Sequence, residues 1–216
     1  MKPGIIFAAS LLFLADPSRS FAQAETAAFK KFIFSDAHKG LINRAISSLP
    51  QAIFRTCPTL VSNGSQITVI KPVTIAASGF PNKGAWRESF PVSGCGNDTI
   101  LNFYFTADSN EKINTLIAFP GTTRADLVLQ DDAYKYASVG LVIAGKPCKK
   151  FYVKDTKFGG FDSVNPTATD LGPGERYRRW HETWTFAGCD RTFIVPISFL
   201  PSTKGTTVIP GHIVER

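Results

Sequence analysis

Charge is scarce in this sequence: Asp, Glu, Lys and Arg make up 19% of its 216 residues, against about 25% in an ordinary soluble domain. With hydrophobic residues at 44% and aromatics at 12%, that shortage excludes intrinsic disorder, which needs low hydrophobicity and high net charge. Long apolar runs are missing as well. Mean hydropathy is +0.01, and no second run approaches the ~20 residues of a membrane-spanning helix, which argues against a multi-span membrane protein. No C-x-x-C pair occurs, no Cys has a His at a zinc-ligand spacing, and no G-x-S-x-G elbow, G-x-G-x-x-G or P-loop is present. Metal, nucleotide and elbow-serine chemistry therefore lack their usual signatures, and neither a cofactor nor a metal is implied. The three histidines, His38, His181 and His212, fall in three separate contexts.

What is present begins with a leader. Lys2 gives a short basic start, Gly4–Ala15 is an apolar run of 12 residues, and a polar stretch ends in Ala22-Gln23-Ala24. That is the layout of a secretory signal peptide, 1–24, with a small-x-small cleavage site. Twelve apolar residues are too few to span a bilayer core of ~30 Å. Cleavage after Ala24 removes Lys2, Arg19 and Asp16, leaving 192 residues with 22 basic and 16 acidic side chains and a net charge of +6. The expected location is periplasmic or secreted, with no transmembrane span after cleavage. In an oxidising compartment an even cysteine count reads as disulfides. Four cysteines allow three connectivities, and spacing alone does not choose among them.

An internal repeat does. Trp86–Cys95 reads WRESFPVSGC and Trp180–Cys189 reads WHETWTFAGC, so Trp86/Trp180, Glu88/Glu182, Gly94/Gly188 and Cys95/Cys189 coincide at an offset of 94. Cys57 and Cys148 are 91 apart, giving spacings of 38 and 41 to the cysteines that follow. Each copy runs into a β-rich segment and then a second apolar run ending in Pro-Gly, at Pro120-Gly121 and Pro210-Gly211. Self-similarity at a fixed period marks duplicated supersecondary units. The parsimonious pairing is one bridge per unit, Cys57–Cys95 and Cys148–Cys189.

The elements repeat too. Ser35 caps a helix from Asp36 to about Phe54, with Leu41, Ile42, Ala45, Ile46 and Leu49 on one stripe. Thr122 or Thr123 caps a second helix from Arg124 to about Ala137, with Asp126 completing a capping box. Gln66–Ile75 and Lys149–Asp155 read as first strands, the loops AASGFPNKG and Phe158–Gly174 follow, and Leu116–Phe119 and Val208–Ile213 read as fourth strands. The expected fold is α+β: two tandem helix-plus-four-strand antiparallel units, each with one disulfide, over 25–121 and 122–216, forming either two lobes or one continuous sheet.

Alternate residues of a strand share a face, so Trp86, Glu88, Phe90 and Val92 point one way, as do Trp180, Glu182, Trp184 and Phe186. A carboxylate thus sits twice in an aromatic stripe. Buried and unpaired it is costly, so it requires donors, a basic partner or a raised pKa. The structural reading, an ion pair or a carboxylate held by loop amides, explains why both copies keep it. The catalytic reading pairs two acids about 5–10 Å apart across a cleft, as in glycoside hydrolysis, yet duplication places equivalent residues one per unit. An envelope hydrolase using Glu88 or Glu182 stands as the alternative to a non-catalytic binding protein. His181 alternates with Glu182 and faces solvent.

Basic residues gather in the second unit. Lys146, Lys149, Lys150, Lys154 and Lys157 surround Cys148, and Arg176, Arg178 and Arg179 precede Trp180. If Arg176–Trp180 pairs with Lys149–Asp155, they present one basic face with Tyr152 and Tyr177 interleaved. Candidate binding residues are Lys150, Tyr152, Lys154, Tyr177, Arg178, Arg179 and His181. The partners such a face suits are an unknown protein or an anionic envelope component, either a glycan or a membrane surface; export argues against nucleic acid. The plainer account is a guarded strand edge, where Lys is common.

The double W-x-E-x-[FW]-x-x-x-G-C pattern, with Pro-Gly-Thr-Thr and the Asp-rich helix after it, resembles a family of uncharacterised secreted proteins of Gram-negative bacteria. The resemblance covers most of the mature chain and implies a periplasmic or secreted location, with no chemistry assigned to the motif. At the level of fold alone, the units are similar to cystatin-like and tandem β-lactamase-inhibitory-protein-like arrangements, although the cystatin Q-x-V-x-G loop is missing at Gln66–Ile70.

Overall fold

The computed structural model describes residues 27–49, 61–62, 64–94, 98–145, 148, 150–162 and 178–216. The expected signal segment, the Cys57–Cys95 bridge, Tyr177 and residues 163–174 of the expected loop lie outside them. Three helices are described: α1 over 27–33, α2 (Asp36–Ser47) and α3 (Leu127–Ile143). Among the described residues, ten strands form two antiparallel, five-stranded sheets. The first holds β1 (Val61–Ser62), β2 (Gln66–Ile75), β3 (Pro81–Ser93), β4 (Thr99–Ala107) and β5 (Ile113–Ile117). The second holds β6 (Tyr152–Phe161), β7 (Trp180–Gly188), β8 (Arg191–Ser202), β9 (Gly205–Pro210) and β10 (Val214–Glu215). In each, four consecutive strands make a meander. The two-residue β1 pairs with β3, and the two-residue β10 pairs with β8.

Helix boundaries depart from the sequence expectation for local reasons. Ser35 caps α2 as expected, accepting from the His38 N–H at 3.2 Å. The helix stops at Ser47 instead of Phe54, where the Ser48 N–H closes the last turn on Arg44 and Ala45, two residues before the helix-breaking Pro50. The second helix starts three residues late. The Thr123 N–H donates to Thr156 Oγ1 and the Arg124 N–H to Glu182 Oε1, so this backbone is already committed to the sheet. Asp126 becomes the N-cap, accepting from Leu129 N at 2.9 Å. The helix then runs to Ile143, past Gly140, against which Ile213 packs at 3.5 Å.

Strand boundaries shift as well. The loop expected over Ala76–Gly84 contracts to 76–80, because β3 begins at Pro81. The fourth strands each start three residues before the expected position, at Ile113 and Gly205. β6 begins at Tyr152 and runs to Phe161, into the expected loop.

The bridge Cys148–Cys189 is formed, with its Cα atoms 5.9 Å apart. Cys189 and Asp190, at φ 52° and 56°, make the two-residue turn between β7 and β8, a mirror-image turn that matches strand twist. Gly188 precedes it because a Cβ there would sit 2.6 Å from Lys150 O and 3.0 Å from Cys148 Sγ. This close approach explains the Gly-Cys ending of the repeated motif in the second copy.

The described residues form two hydrophobic cores. One packs Phe29, Phe32, Ala45 and Leu49 of the first helices onto Trp86, Leu101, Phe103 and Phe105. The other packs Ala133, Ala137 and Leu141 onto Val153, Trp184, Phe186, Phe193, Val195, Ile197 and Phe199. Between them, residues 118–123 form a strap bonded to both sheets. Ala118 N donates to Asn102 O and Gly121 N to Ile100 O of β4, while Thr122 N donates to Thr156 O of β6 at 2.7 Å. Buried side chains complete the junction. Asn102 donates to Phe119 O and Gly121 O, Gln130 accepts from Phe119 N, and Thr156 Oγ1 donates to Pro120 O. With its polar groups satisfied in this way, the junction costs little to bury and holds the sheets together at β4 and β6.

Candidate functional site

The two repeated carboxylates come first. Glu88 and Glu182 are 0% and 1% exposed, on the core faces of β3 and β7. At Glu182, Trp180 Nε1 and the Arg124 N–H both donate to Oε1 at 2.9 Å, and Trp184 Nε1 donates to Oε2 at 2.7 Å. Two indoles on the same strand and one backbone amide before α3 thus satisfy both oxygens. At Glu88, Trp86 Nε1 donates to Oε1 at 2.9 Å and His38 Nε2 donates to the same oxygen at 2.6 Å. Oε2 is buried without a hydrogen-bond partner, because Phe90 stands where the second copy has Trp184. The His38 ring is itself buried, edge-on to Phe32 and tilted against Phe105. In both units a carboxylate under the sheet fastens the helix above it, through a side chain in one and a main-chain amide in the other. Charge-assisted bonds of this kind offset the cost of burying the charge.

The expected basic face does not form. β6 pairs with β7 so that Tyr152 faces Ala187 and Phe161 faces Trp180. Lys150, Tyr152 and Lys154 therefore lie toward one end of the hairpin and Arg178, Arg179 and His181 toward the other, from roughly 15 Å (Lys154 to His181) to roughly 30 Å apart at about 3.3 Å per residue. At that far end the cations are locally engaged. Two guanidinium groups lie over the Phe161 ring, Arg124 at 4.8 Å and Arg178 at 4.6 Å from its centroid. His181, half exposed as its strand position required, sits 3.7 Å from Asp162, and Arg179 O accepts from Asp162 N. Trp180 stacks on Phe199 at 4.7 Å.

Lys150, Tyr152 and Lys154 instead line an open groove of about 1120 Å³ between the sheets. One wall is Leu49 at the end of α2 with Ile117–Pro120. The other is Lys150–Lys154, where the chain enters β6, with the Cys189–Thr192 corner, and Asp131 and Tyr134 of α3 close the floor. Asp131 is paired with Lys135 one turn on, and its charge and hydrogen bond raise the Lys135 pKa. Arg191 is paired with Glu215 at 3.4 Å. Tyr134 donates to Phe151 O. No carboxylate among the described residues lies within ion-pair distance of Lys150 or Lys154. A smaller cleft of about 400 Å³ lies on the other side of the strap, bounded by Pro91–Ser93, Asp98–Ile100 and Asp155–Lys157. Thr99 Oγ1 donates to Asp155 there.

Sequence reasoning missed His38 as the partner of Glu88, Arg124 as a partner of Glu182 and of Phe161, and the unit-one wall of the groove. Contacts 50 and 58 residues apart in sequence leave no local signal. Among the described residues, no three His, Cys, Asp or Glu side chains are grouped to hold a metal ion, and no helix is long and apolar enough to cross a membrane. Set against known protein families, curated proteins and solved structures, the chain matches none.

Proposed function

We propose that the chain is an exported, disulfide-stabilised, non-catalytic interaction protein of the bacterial periplasm or exterior. In this reading it is built from two tandem helix-plus-four-strand units with one bridge each, and it engages a partner protein or anionic envelope component through the groove between its sheets. One observation carries the reading. Both repeated carboxylates are buried and spent on fastening helices, while Lys150, Tyr152 and Lys154 line an open groove between the sheets. The leader layout and the Cys148–Cys189 bridge support export. The two matching Trp-x-Glu anchors support duplication and the resemblance to secreted Gram-negative proteins.

The hydrolase alternative loses Glu182, whose oxygens are all occupied by donors. It retains Glu88, where Oε2 accepts nothing beside His38, though substrate reaches that oxygen only if α2 lifts away. A membrane or glycan surface spread over the whole second unit is weakened by the separation of its two basic clusters. The test is capture by cross-linking from periplasmic extract and culture medium, with the mature chain as bait beside the double variant Lys150→Glu/Lys154→Glu. A species retained by the wild type and lost by the variant is expected. Equal capture by both, or capture by neither, refutes the reading.

A further inference from the structure

We propose that the outer face of α3 is a self-complementary seam, through which two copies of the chain pair with these helices antiparallel. The starting point is a contrast between two helices that each cover a sheet. α2 turns Lys39, Asn43, Arg44 and Ser47 to solvent, with Ile46 the one large apolar side chain among them. That is the polar outer face of an ordinary surface helix. α3 packs Ala133, Ala137 and Leu141 inward, yet leaves Val128, Tyr136, Val139, Val142 and Ile143 57–80% exposed. From Tyr136 to Gly145 the chain carries no charged residue. A helix apolar on both faces belongs where both are buried, and the described residues cover only one of them. The seam stands apart from the interaction reading above, since Val128, Asp132, Lys135 and Val139 do not line the groove.

The order of the side chains selects the occupant. At about 100° per residue, Val128, Asp132, Lys135 and Val139 fall within about 60° of one another, opposite the buried stripe. Their spacings of four, three and four, continued by Val142, are those of a coiled-coil seam. Read from the other end, the ridge becomes Val, Lys, Asp, Val. A second copy laid antiparallel therefore sets Val128 against the partner's Val139 and Asp132 against the partner's Lys135. Each contact occurs twice about the two-fold axis, as an isologous interface requires. Within one chain Lys135 is already bonded to Asp131, with both side chains more than half exposed. Such a pair is weak and leaves the ammonium group within reach of a second carboxylate. A lipid surface fits less well, because it would bury Asp132 in the middle of the ridge without supplying a cation. One helix face is smaller than the ~800 Å² per partner of a standard interface, so the pairing is weak and concentration-dependent.

Sedimentation velocity of the protein over concentrations from about 1 to about 500 µM tests the seam. The expected result is a monomer–dimer equilibrium with a Kd of roughly 10–100 µM, the weak end of protein association. Val139→Glu, which sets a carboxylate against the partner's Val128, should raise that Kd at least about tenfold. Asp132→Lys and Lys135→Asp should each abolish the dimer alone, because like charges then face each other. Mixed in equal amounts, these two charge variants should pair with each other at least as tightly as the wild type, since every cross-contact then joins opposite charges. Circular dichroism checks folding, and the mixing experiment decides the matter should Val139→Glu misfold. A monomer at every concentration, a dimer indifferent to Val139→Glu, or charge variants that fail to complement each other overturns the seam. Flotation of a monomeric protein with phosphatidylglycerol vesicles would put a lipid surface on this face. A monomer whose urea midpoint falls with Val139→Glu would have the face covered by its own chain. Either of those results also overturns the inference.

Discussion

The two buried carboxylates make a matched experiment, because one substitution at equivalent positions should carry unequal costs. Replacing Glu182 by Gln keeps one acceptor for Trp180 Nε1 and the Arg124 N–H but turns an amide NH₂ toward Trp184 Nε1, which now donates to Oε2 at 2.7 Å. Two donors then face each other in a site that is 1% exposed. A hydrogen bond to a charged group is worth about 1.5–3 kcal/mol, and a buried donor left unmatched costs about 1–3 kcal/mol. Allowing for relaxation, Glu182→Gln should cost about 3 kcal/mol. For a chain of this size that lowers Tm by roughly 6–12 °C. Replacing Glu88 by Gln is different. Both of its donors, His38 Nε2 and Trp86 Nε1, bind Oε1, so the amide oxygen keeps them, and the NH₂ replaces an oxygen that accepts nothing. Removing a buried charge offsets part of what is lost, and the net cost should stay below about 1 kcal/mol. Urea unfolding under non-reducing conditions measures both. A Glu88→Gln loss equal to or larger than that of Glu182→Gln would show that the donor count does not set the energetics of these sites.

Further expectations follow from the junction and the bridge. Cys148→Ser with Cys189→Ser opens a link across 41 residues and should cost about 4 kcal/mol by the chain-entropy estimate; urea midpoints under non-reducing conditions measure it, and an unchanged midpoint contradicts it. Gly121→Ala should destabilise by more than about 3 kcal/mol, because at φ 104° its Cβ runs into the Thr156 backbone that the strap crosses. Gly205→Ala, at φ 136° with open space around the position, should cost only the backbone term of about 1–3 kcal/mol. Thermal unfolding of the two variants side by side decides whether the close approach or the dihedral dominates.

Local patterns were legible where the chemistry is local. Gln66–Ile75 is one strand with the bounds its β-branched residues suggest, and Trp86, Glu88, Trp184 and Phe186 face inward as their alternation requires. The Ser35 cap was readable for the same reason, since a hydroxyl three residues from the amide it serves leaves a signature. The start of α3 was not. It is set by Thr156 and Glu182, which lie more than thirty residues downstream and take the N–H groups of Thr123 and Arg124. The basic clusters were misjudged through register. In an antiparallel hairpin the residues beside the connecting loop pair with each other, so Arg178–Trp180 had to meet Phe161–Asp162 and could not meet Lys150–Tyr152. The length of sequence between them obscured that constraint, though it did not remove it.

The two Trp-x-Glu anchors also indicate where function should be sought. What both units keep, a Trp-x-Glu strand holding a helix, is explained by packing and hydrogen bonds and therefore says little about activity. The informative positions are those where equivalent strands diverge. β2 and β6 correspond through Ile67 opposite Glu88 and Phe158 opposite Glu182, yet their outer edges have different chemistry. β2 exposes Val69 and Ile70 beside Lys71 and Pro72, residues that blunt an edge against pairing. β6 presents Lys150, Tyr152 and Lys154 to a groove whose opposite wall comes from the other unit. Neither wall makes this surface alone, because the Leu49 and Ile117–Pro120 side and the Lys150–Lys154 side each supply half of it. The strap completes it: bonded to β4 through Ala118 and Gly121 and to β6 through Thr122, it sets the Ile117–Pro120 wall against the Lys150–Lys154 wall.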